Sequence, residues 1–115
     1  MVLEQHGRHG QLLVEDCRPL RPFIRALISE LPELPVIDEA ADGLEAVEKA
    51  QQLRPDLILM DIGLPKLDGI EAARRIREFL PSSKIVFLTQ QRAGEALREA
   101  ISVGAWGYIL RGRRN

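Results

Sequence analysis

The chain has 115 residues, a length that suits one domain. Its 45% apolar and 29% charged residues can supply a core and a hydrated surface, which excludes a disordered or fibrous chain. Sixteen basic and 17 acidic residues give a net charge of −1, which argues against direct nucleic-acid binding by this domain. No apolar run could span a membrane and no signal-peptide pattern begins the chain, so we expect a cytoplasmic location.

The two ends of the chain show no periodic pattern. Residues 1–10 contain two glycines and two histidines, and we expect a flexible leader. Residues 112–115 are expected to be a truncated tail or linker. The single cysteine, Cys17, cannot form an internal disulfide and is interpreted as a small apolar filler.

The first half of the chain predicts two strands and two helices. Leu12 to Val14 is a short apolar run that predicts a buried strand ending in the carboxylates Glu15 and Asp16. Apolar residues spaced by three and four between residues 20 and 31 predict a helix. A more polar strand at 36–40 is expected at the sheet edge. Asp42 then caps a helix that runs to about residue 53, in which Glu45 and Lys49 form an i,i+4 pair.

The second half continues the alternation. An apolar strand over 57–60 ends at Asp61, and after a loop a helix starts at Asp68, with Glu71 completing a capping-box-like pair. A fourth strand over 85–88 ends at Thr89. A helix over 93–101, terminated by Gly104, precedes a fifth strand over 106–110 that ends near Arg111.

Strands that alternate with helices, and that are too apolar to face water, predict a parallel sheet covered on both faces. The leading architecture is therefore a doubly wound α/β domain. Because ligands bind at the carboxyl ends of parallel strands, residues distant in sequence are expected to meet there. These residues are Glu15, Asp16, Asp61, Thr89 and Arg111.

Three carboxylates close together repel one another unless a cation lies among them. Mg²⁺ prefers oxygen ligands and keeps room for waters and a phosphate. Asp61, alone at the end of a central strand, is the best candidate for a nucleophile that forms an aspartyl phosphate. Thr89 offers a hydroxyl and Arg111 a positive charge to phosphoryl oxygens.

These residues resemble the receiver domain of two-component response regulators. In the stretch LILMDIGLPKLDG, Asp61 is followed by Pro65 and Gly69 at the spacing of the family motif. The acidic pair, the stretch EAADGLEAVEKA from Glu39 and the stretch GAWGYILR from Gly104 fall in register. The resemblance covers about residues 11–111 and is closest to receivers of LuxR-type helix-turn-helix regulators. It implies a chemotaxis-regulator-like fold with a five-stranded sheet in the order 2-1-3-4-5.

The resemblance also implies a role for each matching residue. Asp61 accepts a phosphoryl group from a histidine kinase, and Thr89 hydrogen-bonds that group. Mg²⁺, or Mn²⁺, is bound by Asp16 and Asp61, with Glu15 and the backbone carbonyl of Gly63 completing the protein ligands. Tyr108 is the switch aromatic of the fifth strand. The response reaches an output domain or partner protein, and catalysis is limited to slow self-catalysed transfer and dephosphorylation.

The sequence departs from the family at three positions and in its ending. Glu15 stands where aspartate is common, a change that many members tolerate. Arg111 stands where the family has lysine, and the longer planar guanidinium is not equivalent at a tight phosphate site. Gln90 follows Thr89 where a small residue is usual. Only four residues follow Arg111, so we expect the fifth helix of the family to be missing. That absence predicts exposed apolar surface, which favours a homodimer or marks a piece of a longer chain.

Three alternative functions compete with phosphorylation at Asp61, and the first of them follows from these departures. A pseudo-receiver would use the same fold as a protein-interaction module without phosphorylation. A metal-dependent phosphatase is disfavoured because Gly63 occupies the position where a second carboxylate is needed. A nucleotide-binding enzyme is disfavoured because no glycine-rich loop follows the first strand.

Overall fold

The fold is given by a computed structural model of the whole chain. For Thr89 and residues 107–110 the structure describes the backbone alone. The structure describes residues 10–15, 17–19, 21–22, 24–25, 35–89, 98–99, 102–105 and 107–110.

A five-stranded parallel sheet forms the centre of the molecule, and its strand order is β2-β1-β3-β4-β5. The predicted doubly wound sheet and its order 2-1-3-4-5 are therefore confirmed. The polar strand β2 lies at an edge, as its composition indicates. The strands are β1 (Gln11–Val14), β2 (Val36–Ala40), β3 (Leu57–Asp61), β4 (Lys84–Thr89) and β5 (Gly107–Leu110).

Helix α1 (Gly43–Leu53) begins where the sequence predicts. The side chain of its N-cap, Asp42, accepts a hydrogen bond of 2.8 Å from the backbone N–H of Glu45. The Glu45 carboxylate accepts in turn from the N–H of Ala41 and lies 3.2 Å from Lys49 Nζ. The helix ends at Arg54, whose left-handed backbone (φ 47°) lets its N–H donate to the Ala50 carbonyl.

Helix α2 (Gly69–Phe79) follows the loop after β3. Its N-cap is Asp68, which accepts a 2.9 Å hydrogen bond from the Glu71 N–H, as the capping pattern predicts. The Glu71 carboxylate contacts Arg74 and Arg75, one turn further along the helix.

The alternation of side chains along each strand divides the core between the two faces of the sheet. One face carries Leu12, Val14 and their neighbours on β3 and β4, and it packs against both α1 and α2. The opposite face carries Leu13, Leu59, Val86 and Leu88, which form a second cluster with Ile24. Ile24 belongs to the helical residues 21–22 and 24–25 between β1 and β2, so helical segments cover both faces.

Two expectations about the surface are wrong. The side chains of the second cluster on β1, β3 and β4 are buried, and Ile24 packs with them. The apolar exposure expected from a missing fifth helix is therefore absent from these three strands. Cys17 is exposed because it lies in the turn after β1, so it fills no gap in the core. None of the helices in the described part of the chain is long and apolar enough to cross a membrane.

Several predicted features lie outside the described residues. These include most of the leader at 1–10 and of the helix over 93–101. The C-terminal tail at 112–115, Asp16, Gln90, Trp106 and Arg111 also lie outside them.

Candidate functional site

The predicted site residues follow neighbouring strands at their carboxyl ends. Val14 of β1 pairs with Met60 of β3, so Glu15 and Asp61 are the next residues on adjacent strands. Adjacent strands of a sheet lie about 4.8 Å apart. The register therefore brings these two acidic residues together at one edge of the sheet, as expected.

Glu15 is buried, with 1% of its surface exposed. Its backbone N–H donates to the Ala40 carbonyl of β2 at 3.0 Å. Its carboxylate oxygen Oε2 accepts a 3.2 Å hydrogen bond from the N–H of Cys17. Its carbonyl oxygen accepts a 2.7 Å hydrogen bond from Nε of Arg21. These contacts hold a carboxylate at the end of β1 in a defined place.

Asp61 is the last residue of β3 and is 8% exposed. It pairs with Leu88 of β4, and the N–H of Ile62 donates to the Leu88 carbonyl at 3.3 Å. Within the described residues, no cation lies at ion-pair distance from the Asp61 carboxylate. The described residues thus leave the Asp61 carboxylate without an ion-pair partner at the end of β3.

The loop between Asp61 and α2 is held by short backbone hydrogen bonds. The N–H of Gly69 donates to the Ile62 carbonyl at 2.7 Å, and the N–H of Leu67 donates to the Pro65 carbonyl at 2.7 Å. A Cβ on Gly69 would lie 2.2 Å from the Asp61 carbonyl oxygen, so only glycine allows this approach. The predicted ligand Gly63 is exposed in this loop, two residues after Asp61.

The amino end of α1 supports the same loop. The N–H of Gly43 donates to the Pro65 carbonyl at 3.4 Å, and Lys66 Nζ lies 3.6 Å from an Asp42 carboxylate oxygen. Lys66 has a left-handed backbone (φ 69°), which turns the chain between Pro65 and Leu67. The N-cap and the first residue of α1 thus hold the loop that follows β3 in place.

The backbone register also places the remaining candidates that the structure describes. Leu88 pairs with Asp61, and Thr89 is the next residue of β4. Thr89 pairs with Leu110 of β5, and Tyr108 pairs with Phe87. Thr89 therefore ends β4 at the same edge as Asp61, while Tyr108 lies two residues before the end of β5. Asp16 and Arg111 lie outside the described residues.

The described groups at this edge that could bind a cation all offer oxygen ligands. The two carboxylates of Glu15 and Asp61 come from adjacent strands, and the exposed Gly63 follows one of them. Oxygen donors of this kind suit a hard cation such as Mg²⁺, which keeps several water ligands. The described residues contain no group of three histidine, cysteine, aspartate or glutamate residues that could hold a metal ion. The third expected acid, Asp16, is outside them.

Sequence reasoning missed Arg21 and the support given by α1. Arg21 touches the backbone of Glu15 from the helical segment that follows β1. Arg21 lies six residues after Glu15, and hydrophobic periodicity gives no signal for such a contact. Asp42 was expected only to cap its helix, and it also pairs with Lys66 of the loop after Asp61.

A family model for the response regulator receiver domain matches residues 12–112 of the chain. The chemotaxis protein CheY of Halobacterium salinarum is 40% identical over 100 residues, which cover 87% of this chain and 82% of that protein. The nitrate/nitrite response regulator protein NarL of Escherichia coli is 37% identical over 100 residues. This match also covers 87% of the present chain but only 46% of NarL.

The fold also matches that of a solved structure. A crystal structure of a LuxR-family two-component response regulator from an Aurantimonas species has a TM-score of 0.82 and 35% sequence identity. The match covers 87% of this chain and 71% of that one.

Proposed function

We propose that this chain, which belongs to the family of response regulator receiver domains, accepts a phosphoryl group on Asp61. The observation that carries the proposal is the position of Asp61. It ends a central strand beside the buried carboxylate of Glu15, and no cation in the described part of the chain neutralises it. Members of this family are signalling phosphoacceptors rather than classical enzymes, and this one works in two-component signal transduction.

The transfer forms one bond and breaks one bond. A carboxylate oxygen of Asp61 attacks phosphorus while the bond from phosphorus to the donor's imidazole nitrogen breaks. The imidazole leaves with the bonding electrons and takes up a proton. We further propose that Thr89 donates its hydroxyl to a phosphoryl oxygen and that Arg111 places its positive charge beside another. Tyr108 is proposed as the switch residue.

The same proposal assigns a divalent cation, Mg²⁺ or Mn²⁺, to this edge of the sheet. Glu15, Asp16 and Asp61 would hold it through carboxylate oxygens, and Gly63 through its backbone carbonyl. When bound, the cation supplies positive charge that stabilises the transferring phosphoryl group. The protein's own contribution is to hold Asp61 at the end of β3 and to keep the loop after it in a fixed course.

The partners follow from the family and are proposals for this chain. The phosphodonor is a histidine kinase, and the receiver, spanning residues 11–111, acts on an output domain or a partner protein. The chain spans less than half of NarL, so any transcriptional output would belong to residues beyond the receiver. A homodimer, the absence of direct nucleic-acid contact, a cytoplasmic location and slow self-dephosphorylation remain predictions.

The proposal is tested by labelling with a small acyl phosphate in the presence and absence of Mg²⁺. We expect intact mass to show the gain of one phosphoryl group that requires Mg²⁺. Asp61→Asn removes the nucleophilic oxygen and should abolish the gain. Asp56→Asn is the matched control, because Asp56 is an exposed acid just before the same strand. It should keep the label.

A folded wild-type chain that takes no label at saturating Mg²⁺ would contradict phosphorylation and favour the pseudo-receiver. The family match and the relatives do not indicate that alternative. A label that persists in Asp61→Asn would show that a different residue is the acceptor.

A further inference from the structure

Arg21 links the acidic end of β1 to the edge strand β2. Its Nε donates to the Glu15 carbonyl oxygen at 2.7 Å, and its NH1 lies 3.8 Å from a Glu39 carboxylate oxygen. The side chain is largely buried, with 17% of its surface exposed. One guanidinium therefore contacts a backbone acceptor and a carboxylate at the same time.

The Glu15 carbonyl lies just beyond Val14, the last residue of β1. The N–H of Glu15 still donates to β2 through Ala40, and its carbonyl oxygen accepts from the side chain of Arg21. This carbonyl belongs to the peptide unit that joins Glu15 to Asp16. A bond to this carbonyl oxygen therefore restrains the rotation of that peptide unit at the end of β1.

We infer that Arg21 is a positioning residue for the cation site, acting by fixing the peptide between Glu15 and Asp16. The inference rests on the proposed function, because it needs those carboxylates to bind a cation. A charged donor forms a stronger hydrogen bond to a carbonyl than a neutral donor does. Residues that orient metal ligands from outside typically change metal affinity about 10- to 100-fold when they are removed.

The competing explanation is that Arg21 only ties its helical segment to β2 through Glu39. The structure separates the two roles, because Arg25 makes the closer contact to Glu39. Arg25 Nε lies 2.7 Å from the Glu39 carboxylate. Removing Arg25 or the charge of Glu39 weakens the tie to β2 but leaves the bond from Arg21 to the Glu15 carbonyl in place.

Lysine cannot fully replace arginine at this position. The guanidinium offers donors in a planar fork, so Nε and NH1 point to different acceptors, whereas an ammonium is a single compact charge. A lysine could still donate to one carbonyl. We expect Arg21→Lys to restore part of the cation affinity that Arg21→Ala loses.

The test compares Arg21→Ala, Arg21→Lys, Arg25→Ala and Glu39→Gln with the wild type. Mn²⁺ is the probe, and its binding is read from the electron paramagnetic resonance signal of the free ion, which does not require phosphorylation. We expect Arg21→Ala to weaken Mn²⁺ binding about tenfold or more, and Arg21→Lys to fall between it and the wild type. Arg25→Ala and Glu39→Gln should change binding by less than about twofold, since an exposed ion pair contributes little.

Urea unfolding of each variant separates cation affinity from stability. If Arg21→Ala does not fold, Arg21→Lys replaces it and must bind Mn²⁺ more weakly than Arg25→Ala does. The inference is overturned if the folded Arg21 variants bind Mn²⁺ like the wild type, or if Arg25→Ala and Glu39→Gln weaken binding as much. A wild type that binds no Mn²⁺ overturns it as well. A wild type that binds Mn²⁺ but takes no acyl-phosphate label overturns the proposed function alone, and the Arg21 comparison still decides the inference.

Discussion

Ser83, at the start of β4, shows how one polar atom in the core affects stability. Its backbone N–H donates to the Leu80 carbonyl at 3.2 Å, but its buried hydroxyl has no hydrogen-bond partner among the residues that the structure describes. An unpaired buried hydroxyl loses its hydration without compensation, which costs about 1–3 kcal/mol. The position thus carries a polar group that the fold does not use.

We therefore predict that Ser83→Ala stabilises the protein. The substitution removes the buried oxygen and keeps the Cβ, so the free energy of unfolding should rise by up to about 1 kcal/mol. Urea unfolding followed by circular dichroism measures the change. Ser82→Ala, at an exposed turn position beside it, is the control and should change stability little. A loss of stability in Ser83→Ala would mean that the hydroxyl has a partner such as an ordered water.

Residues of the candidate site differ in how well the sequence predicts them. Glu15 and Asp61 could be predicted because each directly follows a short apolar run, which fixes both the strand and its end. The contact of Arg21 with the Glu15 carbonyl could not be predicted in the same way. It depends on the angle at which a helix leaves the sheet, and hydrophobic periodicity does not specify that angle.

At the scale of elements, the backbone at the start of α1 packs closely against the backbone of the loop after β3. A Cβ built on Gly43 would lie 1.8 Å from the Leu67 carbonyl oxygen and 2.6 Å from its carbon. These are backbone atoms, so no side-chain rotation could relieve the overlap. The first residue of α1 must therefore be glycine for the loop to keep its course.

We predict that Gly43→Ala destabilises the protein. The gain in helix propensity is at most about 1 kcal/mol, while forcing an overlap with backbone costs about 1–3 kcal/mol or more. The net effect should be a lower midpoint of urea unfolding. Gly63→Ala is the matched control in the same region, because a Cβ there meets nothing within 4 Å. Equal stability of Gly43→Ala and the wild type would contradict the close packing of the two elements.

A second link between elements joins α1 to β2 through Lys49. Its ammonium lies 3.1 Å from the Asp38 carboxylate, 3.2 Å from that of Glu45 and 2.6 Å from the Glu39 carbonyl oxygen. Desolvation lowers the pKa of Lys49, but hydrogen bonds to Asp38 and Glu45 and their negative charges outweigh it. The pKa of Lys49 is therefore raised above its usual 10.5.

This shift predicts the direction of a pH effect on stability. A raised pKa in the folded state means that the contribution of Lys49 is complete below pH 10.5 and is lost as the pH rises further. Wild type should be more stable than Lys49→Met at neutral pH, by less than about 1 kcal/mol, and the difference should shrink above pH 10.5. Urea unfolding across this range measures it. When Asp38→Asn and Glu45→Gln are added to both proteins, the difference between their free energies of unfolding should no longer shrink above pH 10.5.

At the scale of the whole molecule, a single parallel sheet explains why distant segments share one site. Every strand points the same way, so Glu15 after β1 and the last residues of β3 and β4, Asp61 and Thr89, lie at one end of the sheet. The sequence could predict this arrangement because alternating strands and helices with right-handed connections allow few topologies. It could not predict which strands stay covered near the expected missing helix. The burial of Leu59 and Leu88 depends on tertiary packing, which hydrophobic periodicity along the chain does not specify.

The edge position of β2 has a consequence for the behaviour of the protein at high concentration. An edge strand has unpaired backbone groups to which a strand of another molecule can add, beginning an aggregate. In β2 the consecutive acids Asp38 and Glu39 project to opposite faces, and their partners Lys49 and Arg25 crowd the strand with charge. A strand that joined there would have to displace hydrated ion pairs on both faces. The chemistry of this strand thus opposes fibrous polymerisation through β2.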